Sequence, residues 1–423
     1  MSMAVITLII LAVMVVFFVN GKIPLGLVSM AGAILLACLG IIDKVDVIAP
    51  FGGSTIALLA TMMIIGEGLF QTGLADKMAN ALVKITGTSE TGIMAAGVIV
   101  ALVLSSICSG LGVVAMMLPI VIALSRKAGV SVSRQLIPMS FAASIGCNLT
   151  LVGAASNVST AGLIEDMGIK FLGFFELGKV GLPLCILFVI YFFTIGKKLL
   201  TPGDSSDPEY LETLTQKSHG DEFRPVQATI CAVILVVVLI AMAVANDSWP
   251  MYFIAAIGCI VMILTGCISE KDAIKAVDWP TLFIVGGMSA YSVGMTKSGA
   301  GKLIADGMVK IMGAHPNKYL FLLMVLVLVT LLTNMMMNTS TVLLVTPLFI
   351  PVAVKTGINP VAIGVAICVA ASAPFLTPVG SGTNTLIIKP GNLTFRDFFV
   401  PGIGLTIVTI IGSMIFIPLF WPL

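Results

Sequence analysis

The chain has 423 residues, of which 58% are hydrophobic and 10% charged, and its formal net charge is +2. That composition lies far from the soluble average, and so small a charge gives no electrostatic reason to expect a nucleic-acid partner. The eight Cys are scattered with no Cys-x-x-Cys or Cys/His grouping, which argues against both a disulfide framework and a zinc site.

Apolar runs of about 18–20 residues recur along the chain, long enough to cross a bilayer as helices. Short alternating segments of the β-barrel kind do not occur, so the predicted class is an all-α polytopic membrane protein. Residues 3–20 and 23–42 form the first two spans around Asn20-Gly21-Lys22. Without a basic leader or a small-residue cleavage pattern, 3–20 reads as a retained span rather than a signal peptide. A third span covers about 51–72, and an amphipathic piece runs from Leu74 to Ile85. Residues 91–125 carry no charge, are too long for one span and too short for two, and centre on Ser105-Ser-Ile-Cys-Ser-Gly-Leu-Gly112. This pattern predicts a re-entrant helical hairpin, whose tip at membrane depth must be surrounded by protein or a cavity. A fourth span, 135–164, is broken at Gly153-Ala-Ala-Ser-Asn157, and a fifth runs over about 180–196.

Residues 197–225 are polar and read as a linker between residues 1–196 and 226–423. The order then restarts, with spans near 226–246, 250–269 and 280–297 and an amphipathic piece around 300–312. A second uncharged block, 319–354, centres on Thr333-Asn-Met-Met-Met-Asn-Thr-Ser340; a broken span, 359–388, and a last span over about 398–421 follow. The halves are repeats. Thr150, Val152, Gly153, Ser156 and Asn157 answer to Thr377, Val379, Gly380, Thr383 and Asn384 at one constant offset. Thr55 and Gly73 answer to Thr281 and Gly299, and Pro119 and Gly129 to Pro347 and Gly357, at nearly the same offset. Five crossings per half is an odd number, so the expected architecture is an inverted repeat, each half holding five spans, one re-entrant hairpin and one discontinuous helix. With the N-terminus outside, fourteen of the 22 Lys and Arg fall inside, as the positive-inside rule favours. The linker 197–225 is then cytoplasmic and the protein a multi-pass component of the cell (inner) membrane.

Two hairpin tips and two helix breaks are the polar elements at membrane depth, and a polar break placed equivalently in both halves points to a transporter site. Helix N-termini exposed there suit an anion. Freed carbonyls with Ser, Thr and Asn oxygens suit a hard cation such as sodium. Ser105, Ser109, Thr333, Asn338 and Thr339 are the tip candidates; close helix packing by small residues is the plainer reading of 105–112. Glu67 is the one carboxylate well inside a span, either a coupling acid or a structural hydrogen-bonding group. Met335-Met-Met337 reads as packing, because helical phase spreads the three side chains. No nucleotide loop, metalloprotease helix or Ser/His/Asp set is present, so an enzyme is not expected. A hydrolase reading of Ser109-Gly110 lacks a base, since neither His lies in a span.

Taken together, this pattern resembles the divalent anion/sodium symporters, the dicarboxylate and citrate carriers of the ion transporter superfamily, over nearly the whole chain. That family carries Ser-Asn-Thr at each hairpin tip. The second tip here reads Met337-Asn338-Thr339 and keeps Asn and Thr, whereas the first reads Ser109-Gly110-Leu111 and keeps only Ser. The resemblance implies a substrate site of Ser109, Gly110, Asn338, Thr339, Ser156, Asn157, Thr383 and Asn384. It implies sodium ligands among Ser105, Ser109, Gly153, Thr333, Asn338 and Gly380. It further implies an elevator mechanism, a homodimer, and no cofactor beyond the coupling ion. An N-terminal span common in that family is missing, in keeping with an outside N-terminus. The expected function is cation-coupled symport of a small anion, a di- or tricarboxylate. The alternative is a proton-coupled antiporter or exporter resembling arsenite permeases or sodium/proton antiporters, with Glu67 as its titrating group.

Overall fold

The computed structural model describes residues 2–20, 22–74, 77–78, 86–87, 89–201, 224–245, 248–312 and 317–423. Most of the expected linker, both His219 and His315, and most of the amphipathic piece from Leu74 to Ile85 lie outside the described residues.

The first part of the chain forms α1 (Met3–Asn20), α2 (Leu25–Cys38), the short α3 (Lys44–Ile48) and α4 (Ser54–Gln71). It continues with the pair α5 (Glu90–Ser105) and α6 (Gly110–Ala128), then α7 (Ser133–Gly146) and α8 (Ala155–Asp166), then α9 (Gly178–Tyr191). A π turn, Phe192–Gly196, prolongs α9. The second part runs α10 (Pro225–Ala243), α11 (Met251–Leu264), α12 (Glu270–Ala276), α13 (Trp279–Lys297) and α14 (Ala300–Met312). It ends with α15 (Lys318–Thr333), α16 (Asn338–Thr356), α17 (Pro360–Ala371), α18 (Gly382–Gly391) and α19 (Phe395–Phe420). One series of elements thus occurs twice. No β-strand occurs among the described residues. Six helical segments among them are long and apolar enough to cross a bilayer, and several shorter apolar helices accompany them. The protein is an all-helical, multi-pass membrane protein.

Composition decides which helices lie in the centre. A helix apolar all round belongs in an interior, and every residue of α17 from Ala362 to Ala371 is buried. In α7 every residue except Arg134 is buried. Between these two helices and their neighbours sits an aromatic cluster. The Phe141 ring lies 5.0 Å from Phe375 and 6.3 Å from Phe398, centroid to centroid, and 6.1 Å edge-on from Phe192. The cluster joins α7 to the second helix break, to α19 and to the end of α9.

The helices fall into two groups. The hairpins α5–α6 and α15–α16, the broken pairs α7–α8 and α17–α18, and the flanking α9 and α19 pack on one another. In the other group α2 packs along α13, α4 along α11, and α1 against α2 and α14. The groups meet where α4 passes α8 and where α13 and α14 pass α16.

The α2–α13 contact shows what drives helix association in an apolar medium, where small residues let backbones approach and polar groups bridge. Ser29 Oγ donates to the Gly26 carbonyl at 2.9 Å and reaches the Phe283 carbonyl of α13 at 3.3 Å. A Cβ placed on Gly287 would stand 2.7 Å from the Ser29 carbonyl carbon, so this position admits no side chain. Gly287→Leu is expected to wedge the two helices apart and to cost about 1–3 kcal/mol. The measurement is the unfolding temperature of the detergent-solubilised protein; an unchanged temperature would show that the contact tolerates a side chain.

Candidate functional site

The two breaks begin as a backbone problem. Helix α7 ends at Gly146 and α8 begins at Ala155, with two 3-10 turns, Cys147–Leu149 and Leu151–Gly153, between them. Helix α17 ends at Ala371 and α18 begins at Gly382. Carbonyls released from a helix away from water need other partners. Asparagine supplies them in both halves. Asn157 Nδ2 donates to the Cys147 carbonyl at 3.0 Å. Asn384 Nδ2 donates to the Pro374 carbonyl at 2.7 Å and to the Thr377 carbonyl at 3.0 Å. Cys147 and Pro374 occupy the same place in the repeat. Threonine then latches each break to the hairpin of its own half. Thr150 Oγ1 donates to the carbonyl of Ser106, and Thr377 Oγ1 to that of Asn334 at 2.6 Å.

The second hairpin turn carries more of these bonds than the first. Asn334 Nδ2 donates to the Thr330 carbonyl at 2.7 Å and to the Ala373 carbonyl at 3.3 Å, while its Oδ1 accepts from the Leu376 N–H at 2.8 Å. The Thr333 hydroxyl donates to the Ala371 carbonyl at 2.8 Å and lies 2.9 Å from Asn338 Oδ1. Such close crossing explains the repeated glycines. A Cβ on Gly153 would stand 2.4 Å from the Cys147 carbonyl oxygen, and one on Gly380 would stand 2.5 Å from that of Thr333.

The halves differ also in the support of the Asn side chain. Asn384 Oδ1 accepts from Ser140 Oγ at 2.7 Å. At the corresponding place in the other half stands Ile367, and there Asn157 Oδ1 is buried without a partner, as is Ser156 Oγ.

Both breaks and both hairpin turns open onto one cavity of about 370 Å³. Ser109, Gly110, Met337, Asn338 and Thr339 line it from the hairpins, and Gly153, Ser156, Gly380, Ser381 and Thr383 from the breaks. Gly66, Glu67 and Phe70 line it from α4, and Asp278 and Thr281 from the start of α13. No Lys, Arg or His lines it among the described residues. Four helices of the hairpins and breaks begin at its wall, α6, α8, α16 and α18, and α13 begins there too, behind its N-cap Asp278. The N-cap residues Ser109, Ala154 and Met337 make no side-chain cap bond; only Ser381 does, accepting from the Thr383 N–H at 3.3 Å. First-turn N–H groups and the positive ends of the helix dipoles therefore face this space, which is the arrangement that holds an anion.

Of the residues singled out from the sequence, Ser109, Gly110, Gly153, Ser156, Asn338, Thr339, Gly380, Thr383 and Glu67 come together on the cavity. Ser105, Thr333, Asn157 and Asn384 do not line it and are fully buried in the wall. The amides of Asn157 and Asn384 bond carbonyls of the breaks. Ser105 Oγ likewise donates to the Leu102 carbonyl at 3.3 Å. Gly110, where the resemblance leads one to expect Asn, lies against α7; a Cβ there would stand 3.2 Å from the Ala143 carbonyl oxygen. Glu67 Oε1 accepts from Gln71 Nε2 at 3.3 Å, one turn along α4. Two residues of this region were missed. Asn334 was one amide in an uncharged block, and Asp278 stood in a polar connection ahead of a span.

Asn384→Ala would strand two buried carbonyls and the Ser140 hydroxyl. It is expected to lower stability by about 2–4 kcal/mol, whereas Thr385→Ala on the exposed side of the same turn should cost far less. Thermal unfolding in detergent reads the difference; equal midpoints would remove Asn384 from the bracing of the break.

The model of the citrate transporter family matches residues 9–290 and 242–422. The uncharacterized transporter YfbS of Escherichia coli K12 is 21% identical, over 97% of this chain and 98% of its own length. The sodium-dependent dicarboxylate transporter SdcS of Staphylococcus saprophyticus is 21% identical, over 93% of this chain and 82% of its own. Among solved structures the YdaH transporter of Alcanivorax borkumensis shares the fold, with a TM-score of 0.64 at 16% identity, over 89% of this chain and 88% of that one.

Proposed function

The chain belongs to the citrate transporter family, and from that premise we propose that it is a sodium-coupled symporter of a small di- or tricarboxylate. It is a transporter and not an enzyme. One observation carries the substrate class. Four helix N-termini of the hairpins and breaks, with the start of α13 beside them, meet at a single cavity whose described lining contains no cationic side chain, so the attraction for an anion comes from N–H groups and dipoles. Ser109, Asn338, Thr339, Ser156 and Thr383 offer the hydroxyl and amide groups that orient carboxylates. The name of a sodium-dependent dicarboxylate relative supports sodium as the coupling ion. The proposed sodium ligands lie at the hairpin turns and in the breaks: Ser105, Ser109 and Gly153 in the first half, and Thr333, Asn338 and Gly380 in the second. Carbonyls at those helix ends complete an oxygen shell suited to a hard cation.

Residues 1–196 and 226–423 act, on this reading, as inverted repeats joined by a cytoplasmic linker, with the N-terminus outside and the protein in the inner membrane. The hairpins, the broken helices, α9 and α19 move as an elevator against the group built on α2, α4, α11 and α13. That second group forms the fixed centre of a homodimer. The cavity supports this division, because residues of both groups line it and a bound anion bridges them.

Reconstituted in liposomes, the protein is expected to take up a carboxylate from a panel of di- and tricarboxylates when sodium is higher outside. Absence of uptake under sodium and proton gradients alike would overturn the assignment. Glu67 on the cavity wall favours a second reading, in which protons drive transport. Under sodium coupling, Glu67→Gln is expected to keep the sodium dependence of uptake. Loss of uptake together with its pH dependence would place the coupling proton on Glu67.

A further inference from the structure

Resting on the carboxylate reading above, we propose that Asp278, acting with Glu67, sets the charge of the anion this site accepts, favouring a carboxylate with fewer negative charges over its more highly ionised analogue. A dipole offers about half a positive charge per helix N-terminus. The four ends at the hairpins and breaks supply roughly two charges' worth of attraction and the start of α13 adds a fifth end, which Asp278 itself occupies; two ionised carboxylates on the same wall oppose that attraction.

Asp278 is held in that position. Its backbone N–H donates to Met63 Sδ at 3.4 Å. Met63 stands one helical turn before Glu67, so both acids sit along one stretch of α4. The Thr281 hydroxyl, itself on the cavity wall, donates to Asp278 Oδ2. The carboxylate heads α13 yet makes no side-chain cap bond to the backbone N–H groups, so capping does not account for it. No compensating cation lines the cavity among the described residues. Lys271 and Lys275 of α12, which packs on α4, are exposed and outside the lining, and Lys275 pairs with Asp272 at 3.6 Å. Among the described residues the buried thiol Cys108 also lies near Glu67.

Succinate and monomethyl succinate share a carbon chain and differ by one charge, so they test this inference. Each is used as a competitor of labelled succinate uptake into proteoliposomes at a fixed pH at which both are fully ionised. Asp278→Asn keeps an acceptor for Thr281 and is expected to shift the competition ratio about tenfold toward the dianion. Glu67→Gln should shift it the same way, while Asp278→Glu should keep the wild-type ratio. A purely structural role for Asp278 would change expression or unfolding temperature without moving the ratio. Uptake with an unchanged ratio in both neutralised variants overturns the inference, and if Asp278→Asn does not reach the membrane, Glu67→Gln decides it alone. Failure of the wild type to take up or bind either anion would instead overturn the carboxylate assignment, and charge selection with it.

Discussion

The Asn384 amide holds two carbonyls that its helix has released, and Asn157 does the same for one carbonyl in the other half. The rest of the site depends on this. In an apolar medium an interrupted helix is stable only if its freed backbone groups are bonded, and water is not there to do it. Once asparagine and threonine bond them, the chain can stop a helix in the middle of the molecule and start another facing a different way. The new start is what matters chemically, because it turns N–H groups toward the cavity.

On the proposed reading, that origin explains how a carboxylate can be held with no Lys or Arg in the described cavity lining. A fixed ammonium in such a space would carry a desolvation penalty whenever the anion left. Helix dipoles carry partial charges that are already within the protein and need little reorganisation when the ligand arrives or departs. A transporter must release its cargo, so moderate attraction distributed over four termini suits it better than one strong ion pair. The same interruptions also produce helix ends with carbonyls, at Ala371 and Thr333 for example, which lie against one another in the wall. Helix starts and helix ends are thus made by one set of breaks.

The hairpins and breaks were legible because their signal is coarse. An uncharged stretch too long for one span and polar in its middle, as in 91–125, has few structural solutions, and the helix pair α5–α6 is the observed one. Gly, Ser, Thr and Asn recurring at one offset located both breaks. The work done by each residue was harder to read. An Asn at a break carries donors and an acceptor that serve a ligand or a neighbouring carbonyl equally well. In the fold the Asn157 amide reaches back ten residues to the Cys147 carbonyl, a contact that no local pattern announces. Asp278 left no sequence signal at all, since its place on the cavity comes from contact with Met63, 215 residues earlier in the chain.

The two halves share the frame but not its polar detail. Both have the Asn and Thr bonds to freed carbonyls, and both have glycine where backbone crosses backbone. They differ where Ser140 supports Asn384 while Ile367 leaves Asn157 Oδ1 unpaired, and where Gly110 at the first hairpin tip answers to Asn338 at the second. The two carboxylates have no counterparts either: Glu67 corresponds to Val293, and Asp278 to Gly52. A strictly symmetric site would treat its two halves as equivalent ligands for a symmetric anion. This cavity has a similar backbone on both sides and a different set of side chains on each, so on the proposed reading the repeated frame accounts for attraction to an anion and the unrepeated residues for selectivity among anions.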